Sequence, residues 1–245
     1  MKILLSPAKT MKECKLGMNE PTFTKRTQIL LKNLKKLNQN ELSSLMNISE
    51  KISELNYDRF QKFSSQKKGA ALFYFQGDVY KGLDANSFSK SDINYAQNTI
   101  RILSGLYGIL KPLDNIQPYR LEMGTNFSVN NNKNLYEFWN KTLTDHFKSE
   151  LKKEELVVNL ASVEYSKAVS LASLNNIVIE PVFKDYKNGK YKIISIYAKM
   201  ARGLMAQYII KNKVKTLEQL NAFNLEGYIY NKKLSTATKP VFTRD

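Results

Sequence analysis

Short apolar segments alternate with amphipathic segments of helical period along this chain, and that alternation limits the folds open to it. Residues 2–5 (KILL) and 156–160 (LVVNL) have the length and apolar character of buried strands. Residues 89–103 and 135–151 instead place apolar side chains on one face of a helix. This mixture predicts an α+β (mixed α/β) fold. We expect a single compact domain over residues 1–245, with a mixed β-sheet flanked by helices.

Local signals place a cap and a turn within this pattern. Ser89 is followed three residues later by Asp92, which is close to a capping box and predicts the start of a helix. Residues 187–189 (KNG) separate two strand-like segments, 177–186 and 190–197. Because Asn-Gly favours a two-residue turn, these segments are predicted to form a β-hairpin.

Residues that bind metals through sulfur or imidazole are nearly absent. The chain has one cysteine, Cys14, and one histidine, His146. They cannot form an intramolecular disulfide or a Cys/His zinc site. We therefore predict no metal and no cofactor, although a site made of carboxylates alone stays open. No apolar run approaches the roughly 18 residues that span a bilayer, so we expect a cytoplasmic protein without membrane contact.

The net charge of +16 favours an anionic partner such as nucleic acid. Part of this positive charge is explained by a composition typical of AT-rich genomes, in which lysine is abundant. The six arginines are more informative, since only arginine offers a planar fork of donors. Arg101, Arg120 and Arg202 lie beside the motifs described next, with a structural salt bridge as the alternative for each.

Six short motifs follow one another along the chain, and together they resemble the YaaA family of bacterial peroxide-stress response proteins. The resemblance extends from Ile3 to near Phe242. It implies a cytoplasmic, DNA-binding protein that limits damage when iron and hydrogen peroxide are both present. It also implies a basic cleft and a helix-hairpin-helix-like element. The motifs are residues 6–10 (SPAKT), 77–80 (GDVY), 103–114 (LSGLYGILKPLD), 118–124 (PYRLEMG), 159–165 (NLASVEY) and 198–203 (AKMARG).

The first hypothesis is a DNA-binding protein, active as a monomer on double-stranded or distorted DNA and without chemistry of its own. A helix predicted to end at Leu103 would leave an open turn whose N–H groups bind phosphate. The alternative for that turn is a glycine C-cap without a ligand. The predicted phosphate-binding residues are Lys9, Gly105, Leu106, Tyr107, Gly108, Lys111, Arg120, Lys199 and Arg202.

The second hypothesis is an enzyme that acts on a phosphorylated or nucleotide-like small molecule in the same polar cleft. Carboxylates near an arginine suit acid–base work. In the alternative interpretation, Ser162 caps a helix and Asn159 belongs to a turn. The candidate catalytic residues are Asp78, Glu122, Asn159, Ser162 and Glu164. Direct iron storage is disfavoured, because no ferritin-like Glu-x-x-His pattern is present.

Overall fold

A computed structural model describes all 245 residues and confirms the α+β fold. None of its helices combines the length and the apolar character needed to cross a lipid bilayer. The helices are α1 (Thr24–Leu34), α2 (Gln39–Met46), α3 (Glu50–Gln61), α4 (Ala71–Tyr74), α5 (Asp78–Leu83), α6 (Lys90–Thr99), α7 (Leu135–Glu150), α8 (Val163–Ser166), α9 (Ser195–Asn212) and α10 (Leu217–Asn221). The strands are β1 (Lys2–Leu5), β2 (Thr10–Met11), β3 (Gly69–Ala70), β4 (Phe75–Gln76), β5 (Ile100–Ser104), β6 (Gly108–Leu110), β7 (Asn115–Ile116), β8 (Val157–Asn159), β9 (Val178–Ile179), β10 (Val182–Lys187), β11 (Lys190–Lys192), β12 (Ile229–Tyr230) and β13 (Val241–Arg244).

A five-stranded sheet in the order β6-β5-β1-β8-β9 lies at the centre of the molecule. β1 pairs in parallel with both neighbours, so that Ile3 lies opposite Ile100 on one side and Val158 on the other. Parallel strands are covered on both faces, which explains why they are apolar throughout. The strands predicted at 2–5 and 156–160 are confirmed. Because β1, β5 and β8 run in the same direction, the loops after them meet at one edge of the sheet.

A second sheet, in the order β11-β10-β13-β12, contains the predicted hairpin. Asn188 and Gly189 have φ values of 54° and 77°, as a two-residue turn of type I′ requires. One face of this sheet is buried through aromatic packing, with the rings of Phe183 and Phe242 stacked 5.7 Å apart. Both strands are shorter than predicted. Residues 178–179 belong to β9 of the central sheet, so the first strand of the hairpin begins only at Val182. The second strand ends at Lys192, because the chain enters α9 soon afterwards.

The capping box at the start of α6 is confirmed, since Ser89 and Asp92 exchange side-chain and backbone hydrogen bonds. The predicted end of this helix at Leu103 is wrong. α6 ends at Thr99, and Ile100 already has the extended backbone of β5. The apolar residues of β5 also fit a helical period, but their pairing with β1 determines the structure.

Residues 103–110 form a β-hairpin between β5 and β6, with Leu103 opposite Ile109. This segment is entirely buried, and Leu106 and Tyr107 are at most 3% exposed. The indole nitrogen of Trp139 donates to the Gly105 carbonyl oxygen at 2.9 Å, which seals the turn with α7. The helix-hairpin-helix-like element expected at this position is therefore not confirmed.

Candidate functional site

A polar cavity of about 410 Å³ opens at the edge of the central sheet where β1 and β8 end. Five of the six sequence motifs contribute to its wall. We call it the strand-edge cavity. Among the residues singled out from the sequence, those that line it are Lys9, Asp78, Arg120, Glu122, Ser162, Glu164, Lys199 and Arg202.

Hydrogen bonds between the loops fix the floor of the cavity. The Ser162 N–H donates to Ser6 Oγ at 2.8 Å, which joins the loop after β1 to the loop after β8. The Tyr80 hydroxyl donates to the Ser6 carbonyl oxygen at 3.0 Å and brings in α5. The position of Ser162 at the N-terminus of α8 is as expected, but its side chain makes no capping hydrogen bond there.

Two glycines allow α5 and α9 to pack backbone against backbone beside the cavity. A Cβ at Gly82 would lie 2.2 Å from the Met200 carbonyl oxygen, and one at Gly203 would lie 1.9 Å from that of Val79. Any other residue at either position would push the helices apart. This close contact places Asp78 of α5 and Arg202 of α9 in the same wall.

Glu122 connects two of the predicted cations. Its carboxylate lies 2.8 Å from Lys9 Nζ and 2.8 Å from Arg120 Nη2. Arg120 Nε is sealed from solvent and has no hydrogen-bond partner. The two cations therefore belong to the cavity as predicted, but a carboxylate already compensates their charge.

Arg202 and Lys199 are different, because neither forms an ion pair. They lie three residues apart on α9 and both face the cavity. Burial lowers the pKa of the Arg202 guanidinium, and no neighbouring carboxylate opposes that effect. Lys199 is exposed at the mouth of the cavity. A desolvated guanidinium without a counterion favours the binding of an anion.

The other two carboxylates differ in how strongly the protein engages them. Glu164 accepts the Gly124 N–H at 3.0 Å, which fixes its orientation. Asp78 lies 3.9 Å from Lys81 Nζ and keeps about a quarter of its side chain exposed, at 28%. Both carboxylates can accept hydrogen bonds from a ligand.

Three tyrosines complete the floor: Tyr80, Tyr119 and Tyr165. Each is at most 9% exposed, and burial raises the pKa of each hydroxyl above its ordinary value. They are therefore neutral at physiological pH and offer ring surfaces and hydroxyl groups rather than charge. Their hydroxyls have partners within the protein, such as Ser104 Oγ at 2.6 Å from the Tyr119 oxygen.

Several predicted residues lie elsewhere. The Asn159 side chain accepts the Ala161 N–H at 3.1 Å, as a turn residue does, and does not line the cavity. Lys111 pairs with Glu150 at 3.2 Å, away from the cavity. Gly105, Leu106, Tyr107 and Gly108 are buried, so the exposure expected for their N–H groups is wrong. The strand-edge cavity therefore contains only four of the nine predicted phosphate-binding residues.

A second surface comes from the β10–β11 hairpin, which we call the basic hairpin. Tyr186 and Tyr191 lie opposite each other on it, with ring centroids 5.2 Å apart, and Tyr186 is 53% exposed. The pair was not singled out from the sequence, although its symmetric placement about Asn188-Gly189 is a detectable signal. The lysines of the basic hairpin are Lys184, Lys187, Lys190 and Lys192.

The only acid in this strand pair is withdrawn from the surface. Asp185 is 5% exposed and pairs with Arg244 Nη2 at 2.6 Å. The Tyr228 hydroxyl also donates to the Asp185 carboxylate. The lysines of the basic hairpin therefore face no acid from its own strands, although the Asp245 carboxylate accepts the Tyr191 hydroxyl at 2.7 Å. Between β11 and α9 the chain has only residues 193–194, so the start of the helix that carries Lys199 follows the basic hairpin directly.

The fold and the site define an α+β protein with a cation-lined cavity at the carboxyl edge of a parallel sheet. The chain belongs to the family described as peroxide stress protein YaaA, whose family model matches residues 1–234. A UPF0246 protein of Saccharophagus degradans is 50% identical over 100% of this chain and 99% of its own length. UPF0246 proteins of Shewanella woodyi and Aliivibrio fischeri are each 48% identical over 100% of this chain, and over 100% and 98% of their own lengths.

Proposed function

We propose that this member of the peroxide stress family binds nucleic acid, and that the basic hairpin and the start of α9 form the contact surface. The observation that carries the proposal is the exposed Tyr186–Tyr191 pair on a hairpin whose strands carry four lysines. Lys184 shares the face of the two rings, and the other three lysines lie on the opposite face of the same hairpin. Nucleic-acid surfaces without sequence preference combine these two features: cations along the backbone and aromatic rings for the bases.

The charge supports contact with phosphates. None of the four hairpin lysines forms an ion pair, and the neighbouring Asp185 is neutralised by Arg244. Each lysine that neutralises a phosphate releases a condensed counterion, which is favourable at low salt. Such contacts position the nucleic acid without reading its sequence.

The tyrosines favour DNA with unpaired bases. The two rings meet at an interplanar angle of 67°, so one of them can offer its face to a base while its partner supports it. Bases in a regular duplex are stacked on each other and are not available to these rings. Bulged or partly unpaired DNA exposes them, which agrees with the expectation of a distorted substrate.

The lysine contribution is tested by fluorescence anisotropy of a labelled bulged duplex at low salt. The test variant replaces all four hairpin lysines with glutamine. The matched control removes the same charge in or just after α1, through Lys25, Lys32, Lys35 and Lys36, none of which forms an ion pair. We expect the hairpin variant to bind at least tenfold more weakly than the control variant. If both variants bind the bulged duplex equally weakly, the effect comes from net charge alone and the assigned surface is refuted.

The tyrosine contribution is tested separately with the double variant Tyr186→Leu/Tyr191→Leu, which keeps an apolar surface but removes the rings. Base–aromatic stacking contributes about 1–3 kcal/mol per base. We expect bulged or single-stranded DNA to bind about tenfold more weakly, and a perfect duplex to be nearly unaffected. A uniform loss across all three DNAs would contradict the stacking role.

A further inference from the structure

We infer that the strand-edge cavity is a binding site for a small phosphate monoester, with Arg202 as its main anion contact. This site differs from the nucleic-acid surface proposed above, with which it shares only the start of α9, where Lys199 lies. The ligand class is a monophosphate whose body carries N–H or O–H donors, as a nucleoside monophosphate does.

The anion end of the site is formed by α9. The Arg202 guanidinium has five N–H donors, and it makes no hydrogen bond or ion pair within the chain although it is partly buried. The most buried arginine of this protein, Arg101, is compensated by Glu150 at 2.6 Å. A phosphate presents oxygens that match the planar fork of arginine, and Lys199 at the mouth adds a second positive charge.

Arg120 supplies an independent observation. The residue lines the cavity, and its Nε is sealed from solvent and without a partner. Only its Nη2 is engaged, by Glu122 at 2.8 Å. A buried donor without an acceptor is unfavourable by about 1–3 kcal/mol. An oxygen-rich ligand that shifts Glu122 and approaches Arg120 would compensate it.

The remaining wall defines the body of the ligand. Asp78 and Glu164 are acceptors, and they complement hydroxyl or amino donors. The buried rings of Tyr80, Tyr119 and Tyr165 provide apolar contact area beside them. A volume of about 410 Å³ lies within the range of small-molecule sites, roughly 300–1,000 Å³, and a duplex would stay outside.

The loop after β1 favours a monophosphate over a triphosphate. Nucleoside triphosphate sites of the P-loop type wrap the phosphates in a glycine-rich loop of backbone N–H groups. The corresponding residues here are 6–10 (SPAKT), without a glycine, and Ser6 Oγ is occupied by the Ser162 N–H. Side-chain cations of the cavity are therefore the phosphate contacts.

The site is tested by isothermal titration calorimetry of the full chain with adenosine 5′-monophosphate, ribose 5-phosphate, inorganic phosphate and adenosine. We expect at least one phosphomonoester to bind, and adenosine to bind at least tenfold more weakly than adenosine 5′-monophosphate. Arg202→Gln should weaken binding of the phosphomonoester at least tenfold, and Lys199→Gln by a smaller factor. The matched control is Lys211→Gln, an exposed lysine on the same helix.

Two outcomes would overturn the site. One is that neither phosphomonoester binds. The other is that the Lys199→Gln and Arg202→Gln variants both bind the phosphomonoester as tightly as the Lys211→Gln control does. If Arg202→Gln does not fold, as judged by its thermal unfolding, Arg202→Lys takes its place, because it keeps the charge and loses the fork. The four-lysine hairpin variant should bind the phosphomonoester normally, so a failure of the DNA proposal and a failure of this one can be told apart.

Discussion

The contact between α5 and α9 leads to the sharpest stability prediction, for Gly203→Ala. The new Cβ would lie 1.9 Å from the Val79 carbonyl oxygen and 2.7 Å from the Leu83 nitrogen. Both atoms are backbone, so no side-chain rotation relieves the clash. Since ordinary contact begins near 3.4 Å, the two helices must separate by about 1.5 Å.

Two effects of opposite sign set the magnitude. Alanine is a better helix former than glycine by about 1 kcal/mol, which favours the variant. Overpacking costs about 1–3 kcal/mol and more where the obstacle is rigid, as it is here. We expect the clash to dominate, with a net loss of about 2 kcal/mol. For a chain of this size that corresponds to a fall in Tm of about 4–8 °C.

Thermal unfolding followed by circular dichroism measures this change. Gly124→Ala is the matched control, because its nearest obstacle is the end of the Glu164 side chain at 3.1 Å, which needs to shift by only a few tenths of an ångström. We expect the control to change the free energy of unfolding by less than about 0.5 kcal/mol. A Gly203→Ala protein as stable as the unaltered chain would refute the close-contact reasoning. The same displacement should move Arg202 and weaken ligand binding in the cavity.

Three further predictions concern single side chains. Asp185→Ala leaves the Arg244 guanidinium without its partner at 2.6 Å, and urea unfolding should show a loss of about 3 kcal/mol; a loss below about 1 kcal/mol would contradict the role of this pair. Burial raises the pKa of the Asp114 carboxyl from 3.8 to about 6, so the folded state keeps a proton that the unfolded chain releases, and stability should fall as pH rises from about 4 to 6. In the Asp114→Asn variant, the free energy of unfolding measured in urea should fall by up to about 3 kcal/mol less between pH 4 and 6 than in the unaltered chain. The same pH profile in both proteins would refute the raised pKa of Asp114. Glu122→Gln removes the carboxylate that competes for Lys9 and Arg120, so adenosine 5′-monophosphate should bind about tenfold more tightly in calorimetry, and unchanged or weaker binding would contradict the competition.

Local patterns predicted those parts of the fold that depend on neighbouring residues. The capping box at Ser89 and Asp92 and the Asn188-Gly189 turn each follow from a few adjacent side chains, and both are confirmed. The apolar strands β1 and β8 were also recognised, because central parallel strands are apolar throughout.

The predictions were wrong where distant contacts decide. Ile100 and Leu103 fit a helical period as well as a strand, and only the pairing with β1, far away in sequence, selects the strand. The glycines at 105 and 108 suggested an open turn because glycine is common in such turns. In the structure the turn is covered by Trp139, whose packing is not encoded near it in the sequence.

In the candidate site, too, local patterns were predicted and contacts between distant residues were not. The motif residues were expected to share a polar cleft, and the loops after β1 and β8 meet there because these parallel strands end at one edge of the sheet. Asp78 and Arg202 join them only through the packing of Gly82 against α9 and of Gly203 against α5. A glycine inside an apolar helical segment was the available signal for that contact. Lys111 was expected to be free, and its pairing with Glu150 depends on where α7 lies.

The dependence of DNA affinity on salt tests the central claim most directly. The logarithm of the association constant for a labelled single strand is measured against the logarithm of the salt concentration, for the unaltered chain and for the variant lacking the four hairpin lysines. Each phosphate contact contributes about 0.7 to the slope on a single strand, so the variant should lose a slope of up to about 3. Two lines of equal slope would show that these lysines do not touch the phosphates, and the assignment of the nucleic-acid surface would be wrong.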